Sequence, residues 1–138
     1  MKYNDLTRRY FESAAGAGVL VGPGTRRGAA GSRAQGTWVQ FDIQVDTNSR
    51  DGAVQAVRFL AFACPHVIAV SAWVAEQAVG HAARAQLPDG VHSLRERFGV
   101  PVEKLGRLLI VEDAWITAVT GFLQCNGREA RAKGEKLR

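Results

Sequence analysis

The sequence predicts an α+β domain, a small three-stranded antiparallel sheet with helices packed mainly on one face. Three observations carry that expectation. Between Trp38 and Asp46, Val39, Phe41, Ile43 and Val45 alternate with Gln40, Asp42 and Gln44, the period of two that marks a half-buried strand. After Cys64 the pattern changes, and Val67 to Val79 is apolar nearly all round, as in a helix buried against a sheet. Strands come first and helices follow, an order that selects an antiparallel sheet with its helices gathered on one side.

Each element has its own local signal. In residues 3–12, Leu6 and Tyr10 stand one turn apart, which reads as a short amphipathic helix. Seven of the fifteen glycines then fall between Gly16 and Gly36, together with Arg26, Arg27 and Arg33. Glycine at that density raises the entropic cost of order, so 16–36 is expected to be a flexible segment, with fast hydrogen exchange across 22–34. Its one apolar run, Val19-Leu20-Val21, is expected to form a short edge strand. No GxxxxGK[ST] pattern accompanies these glycines, so a phosphate-cradling loop is disfavoured.

The strand from Trp38 to Asp46 ends in a turn cluster, Asp46 to Gly52. A second strand from Ala53 to Phe62 turns Val57, Phe59 and Ala61 to one face and completes a hairpin. Pro65 suits the first turn of the buried helix, where its missing N–H costs nothing, and Gly80 suits its stop. His92 to Phe98 reads as a short helix closed by Gly99. A last helix runs from about Lys104 to Cys125, with Leu108, Trp115, Ile116, Val119, Phe122 and Leu123 at helical spacing. One domain thus spans 1–126, and 127–138 is left as a basic C-terminal tail.

Composition narrows the function classes. A chain of 138 residues, 46% apolar and 22% charged, buries a core without needing disulfide or metal staples. No apolar run approaches the ~18 residues that span a bilayer, and the polar start at Met1 lacks a secretory core. The expected setting is therefore cytoplasmic, with no membrane contact. The net charge of +5 sits at the ends: +4 over residues 1–36, +3 over 127–138 and −2 between them. Basic ends bind nucleic acid electrostatically, but without an aromatic-interleaved motif that partner is disfavoured.

The chemistry-bearing residues are few. Cys64 and Cys125 lie 61 residues apart, outside any CxxC or finger spacing, so a closed zinc site is disfavoured. Cys64 falls between a strand and a helix start, where backbone N–H groups and the helix dipole favour thiolate. A thiolate is what metal binding, persulfide chemistry and nucleophilic attack require. Cys125, at a helix C-terminus, is expected to pack as a small hydrophobe. Glu112 and Asp113 point about 100° apart on a helix and read as a solvated face. His66, two residues from Cys64, is a candidate partner or ligand, while His81 and His92 are scattered.

The ordered set of short motifs resembles the NifU N-terminal/IscU family of iron–sulfur cluster assembly scaffolds over roughly residues 3–124. Its marks are Tyr3, Phe11-Glu12 and Gly18; Ala34-x-Gly36 before the alternating strand; Phe59-x-x-Phe62-x-Cys64 before the apolar helix; and Glu112-Asp113-Ala114. In that family three cysteines, an aspartate and sometimes a histidine converge at one end of the domain, and thiolates are the ligands such clusters need.

The resemblance makes Cys64 the second of those cysteines, and so the cofactor-binding and metal-ligating candidate. The first position reads Gln35, the aspartate two residues later reads Thr37, and the His-Cys pair before the last helix reads Gly106-Arg107. The chaperone-recognition segment keeps only Pro101 and Lys104, and the early Asn-Pro-Arg is replaced by Ser13-Ala14-Ala15. One thiolate does not supply the four ligands a [2Fe–2S] cluster takes. Arg107 brings a fixed positive charge that favours thiolate at a neighbouring Cys64.

What the resemblance implies is a non-catalytic role in iron–sulfur cluster assembly, with iron or a cluster as cargo. The departures from the family pattern imply altered or lost cluster binding, with Cys64 either holding a cluster together with ligands from a second copy or carrying sulfur as a persulfide. The implied partners are a cysteine desulfurase or another cluster-assembly protein, and a second copy of the chain. The alternative is a metal-free interaction module that keeps the scaffold fold to bind a protein. A basic nucleic-acid adaptor is the remaining reading.

Overall fold

The computed structural model describes residues 3–46, 52–84 and 86–135, with side chains through Thr120. The elements in chain order are α1 (Asp5–Ser13), β1 (Thr25–Ser32), β2 (Thr37–Val45), β3 (Val54–Phe62), α2 (Pro65–Ala78), α3 (Val91–Arg97), a 3₁₀ turn (Val102–Lys104) and α4 (Leu105–Glu135). The three strands form one antiparallel sheet in the order β1-β2-β3, as the α+β reading expects.

The alternation in β2 settles which way the sheet faces. Val39, Phe41 and Ile43 are fully buried, and in register they meet Ala61, Phe59 and Val57 of β3. α2 lies across β3, and α4 lies across β1 and β2, so both helices cover this one face. α2 also takes α1 on another side and touches α4, which is why a helix apolar all round is stable there. The Asn4 side chain caps α1 by accepting from Thr7 N–H at 2.9 Å, and its amide donates to Arg97 O. The Thr7 hydroxyl donates to Phe98 O. These bonds fix the N-terminus to α3.

The first strand is not where the sequence places it. Val19-Leu20-Val21 is not a strand; β1 is Thr25–Ser32, inside the segment expected to be flexible. Its ladder with β2 runs from Thr25↔Gln44 to Ser32↔Thr37, so the backbone groups facing β2 are paired without bulky side chains. Gly28 shows why it is glycine-rich. A Cβ there would stand 2.1 Å from Ala118 N and 2.7 Å from Ala114 O. Glycine lets the strand backbone rest directly on α4.

Residues 14–24 instead cross the sheet. Gly16 O accepts from Phe59 N–H at 2.8 Å and Gly18 N–H donates to Phe59 O at 2.9 Å, a parallel bridge on the outer side of β3. The chain then passes over the sheet face opposite the helices, where Leu20 N–H donates to Asp42 Oδ2 at 2.9 Å. Arg27 binds the same carboxylate through Nε (2.8 Å) and Nη2 (3.0 Å). Gln40 and Asp42, expected to face solvent, are therefore buried, at 8% and 1% exposure. The covering segment and the Arg27 pairing supply what a buried carboxylate needs.

Two boundaries also shift. α3 begins and ends one residue earlier than expected. α4 continues to Glu135, past the expected end near Cys125, because the Arg, Glu, Ala and Lys residues beyond Gly127 are good helix formers. Residues 47–51 of the turn cluster lie outside the described residues. So do the side chains of Phe122, Leu123 and Cys125.

Candidate functional site

Cys64 is the N-cap residue of α2, extended at φ −75°, ψ 164°, with Pro65 following at the first helical position. β3 delivers it. Trp38 pairs with Phe62 at the end of the β2–β3 ladder, so Thr37 and Cys64 come to the same end of the sheet. The third component arrives from the other side of the domain, where Pro101 opens the 3₁₀ turn that leads into α4. Lys104 and Arg107 stand three residues apart there, on one helical side.

These elements bring two cations to one half-buried sulfur. Burial pushes the Cys64 thiol upward, but opposing influences outweigh it. The Val67 N–H faces the sulfur, Arg107 approaches as a hydrogen-bond donor, and the charges of Lys104 and Arg107 add to both. The net result is a thiol held below its ordinary value. The Val67 influence is electrostatic, since no formed cap hydrogen bond joins Cys64 to the helix.

His66 belongs to the same neighbourhood in a different role. It is 1% exposed, its ring meets the Tyr3 ring edge-on at 4.7 Å, and its Nδ1 lies 3.4 Å from Lys104 Nζ. Burial, then the charges of Lys104 and Arg107, hold its pKa below the ordinary value. A neutral ring facing an ammonium accepts at Nδ1, which puts the proton on Nε2, a buried atom without a hydrogen-bond partner. His66 is thus packed as a neutral core residue.

The other positions taken from the resemblance do not rebuild a ligand set. Thr37 is buried, whereas Gln35 is exposed in the β1–β2 turn, its N–H donating to Ser32 Oγ at 3.1 Å. Among the described residues, no three His, Cys, Asp or Glu side chains gather closely enough to hold a metal ion. One thiolate, an amide, a hydroxyl and a guanidinium do not fit an iron–sulfur cluster, whose irons take thiolate or imidazole. Asp113 is exposed, on the solvated face expected of it.

Sequence reasoning passed over Lys104 as part of this site. The signal was present in the i, i+3 spacing of Lys104 and Arg107 at a Pro-marked helix start. No helix among the described residues is long and apolar enough to cross a membrane.

Comparison with known proteins places this geometry. The family model for the NifU-like N-terminal domain matches residues 2–128. The crystal structure of the N-terminal part of a nitrogen-fixing NifU-like protein from Brucella abortus is similar in fold. It has a TM-score of 0.66 at 18% identity, over 88% of this chain and 94% of that one. A protein described as an iron–sulfur cluster assembly scaffold for the SUF system, from Fervidobacterium islandicum AW-1, superposes with a TM-score of 0.60 at 11% identity. That match covers 85% of this chain and 96% of the other. No curated protein sequence matches the chain.

Proposed function

The chain belongs to the NifU-like N-terminal domain family, whose members include iron–sulfur cluster assembly scaffolds, and from that premise we propose that it handles sulfur at Cys64 rather than holding a cluster alone. The observation that carries the reading is the place of Cys64, half-buried at the N-cap of α2, where the Val67 N–H, Arg107 and Lys104 lower its thiol. The family position of a third thiolate is filled by a cation that stabilises the one thiolate left.

The step is a sulfur exchange with a persulfide donor, such as the one a cysteine desulfurase carries. The Cys64 thiolate attacks the outer sulfur of R–S–SH. A Cys64–S–SH bond forms, the donor S–S bond breaks, and the donor leaves as a thiolate R–S⁻. Sulfane sulfur moves between thiols without a net change of oxidation state. Lys104 and Arg107 flank the anionic sulfur before and after transfer, and half-burial limits its loss to solvent.

The experiment is incubation with a cysteine desulfurase and cysteine, followed by intact-mass analysis of the chain. One added sulfur on the wild type, absent in Cys64→Ser and unaffected in Cys125→Ser, is the expected result. A Cys64 that stays unmodified, in a protein that still binds the desulfurase, favours the metal-free interaction module. Stoichiometric iron and sulfide held by Cys64 in the monomer, after anaerobic reconstitution, overturns the proposal in the other direction.

A further inference from the structure

The sheet face opposite α2 and α4 carries a second feature. Residues 18–21 cross it at the level of Asp42 and Arg58; in the rows nearer Cys64, Gln40 is buried but the β3 side chains reach solvent. In those rows Phe62 is 51% exposed and Leu60 is 37% exposed, opposite Trp38 and Gln40 in register. Val19, on the crossing segment, is 51% exposed. Exposed apolar side chains that lie next to one another, rather than scattered singly, are candidates for an interaction surface.

Its charge is one-sided. The Arg33 guanidinium lies 6.0 Å from the Trp38 ring and 5.9 Å from the Phe62 ring. Arg58 shares the face, and its guanidinium donates to the backbone carbonyl of Val57. The neighbouring carboxylate, Asp42 under the crossing segment, is buried and already bound by Arg27. A guanidinium within about 6 Å of two ring centroids is attracted to their faces. Aromatic residues and arginine are also the residues that dominate binding energy at interfaces.

We propose that this face docks a protein whose contact surface is acidic around an apolar centre. A second copy of the chain is the wrong occupant, because a two-fold pairing would set this basic face against another of the same sign. The docked partner would lie beside Cys64, since Phe62 leads directly into that residue. The inference goes beyond sulfur handling and does not depend on it.

The test uses a photoreactive benzoylphenylalanine in the full chain, placed at Phe62 or Leu60, with exposed Gln77 of α2 as the control site. Irradiation in the native host is followed by mass spectrometry of the adduct and reconstitution with the purified partner. The expected result is one acidic protein crosslinked from positions 62 and 60 but not 77. Its binding should weaken with salt, and by about tenfold or more with Arg33→Glu plus Arg58→Glu. Phe62→Ser should weaken it as well, whereas Arg33→Lys, which keeps the charge, should retain most of it. Circular dichroism checks that each variant folds. Cys64→Ser should bind normally, which separates this inference from the sulfur proposal. An adduct to a second copy, to nucleic acid or to a basic protein overturns the proposal, as does the lack of any adduct at both positions.

Discussion

Replacing Arg107 by leucine removes the cation near Cys64 and leaves a shorter, apolar side chain. Arg107 is exposed, so its charge acts through a water-like dielectric. For two unit charges ~4 Å apart in water, 332/(80 × 4) gives about 1 kcal/mol, a factor of about five in an equilibrium constant. The Cys64 midpoint should rise accordingly. Below both midpoints the thiolate fraction falls about fivefold, and the greater nucleophilicity of a more basic thiolate returns a factor of about two. Alkylation with iodoacetamide, followed across pH in a Cys125→Ser background, reads both effects. The curve should move to higher pH, its plateau should rise about twofold, and Arg107→Lys should restore most of the shift. A midpoint that stays in place in Arg107→Leu would refute the assignment of the lowered thiol to Arg107.

The remaining expectations concern the fold around the site. Gly28→Ala should lower stability by about 3 kcal/mol in urea unfolding, since its Cβ meets α4 backbone rather than a movable side chain. Asp42→Ala strands the Leu20 N–H and should cost about 2 kcal/mol, with Asp42→Asn losing less because an acceptor oxygen remains. Hydrogen exchange should be slow at every second amide of 25–32, where β1 pairs with β2, the reverse of a flexible segment. His66 stays neutral in the fold while the unfolded chain takes up a proton near pH ~6.5. Stability should therefore decline as pH falls below ~6.5, by at most ~1.4 kcal/mol per unit for this one group. His66→Gln should remove that part of the slope, and an unchanged slope would clear His66 of any role in it.

What could be read in advance was what side-chain pattern encodes. The Val39–Phe41–Ile43 alternation gave β2 its inward face, and the unbroken apolar run gave α2 its burial. β1 was missed for a physical reason. Its packing against α4 is made by the backbone at Gly28, where hydrophobic periodicity is silent. The burial of Asp42 was invisible because it depends on residues 18–21 crossing a sheet that periodicity treats as open. At the site, the helix-start position of Cys64 was a local property and could be read. The approach of Arg107, 43 residues further on, came from the family resemblance and not from any spacing in the chain. Lys104 needed the tertiary structure to show how far its side chain reaches.

The parallel bridge of residues 16–18 on β3 also guards against self-assembly. A three-stranded sheet has two edges, and an edge of unpaired backbone groups is a template for strand addition by other chains. The β3 edge carries Val57-Arg-Phe-Leu-Ala-Phe62, six residues with high β-propensity, one charge and no proline or glycine, the composition that stacks into intermolecular sheets. The bridge occupies both backbone groups of Phe59, at the centre of that stretch. Gly16→Pro or Gly18→Pro, which keeps α1 and all three strands, would disturb this crossing alone. The edge of β3 around Phe59 would then be open to further copies, and the loss would show first as aggregation.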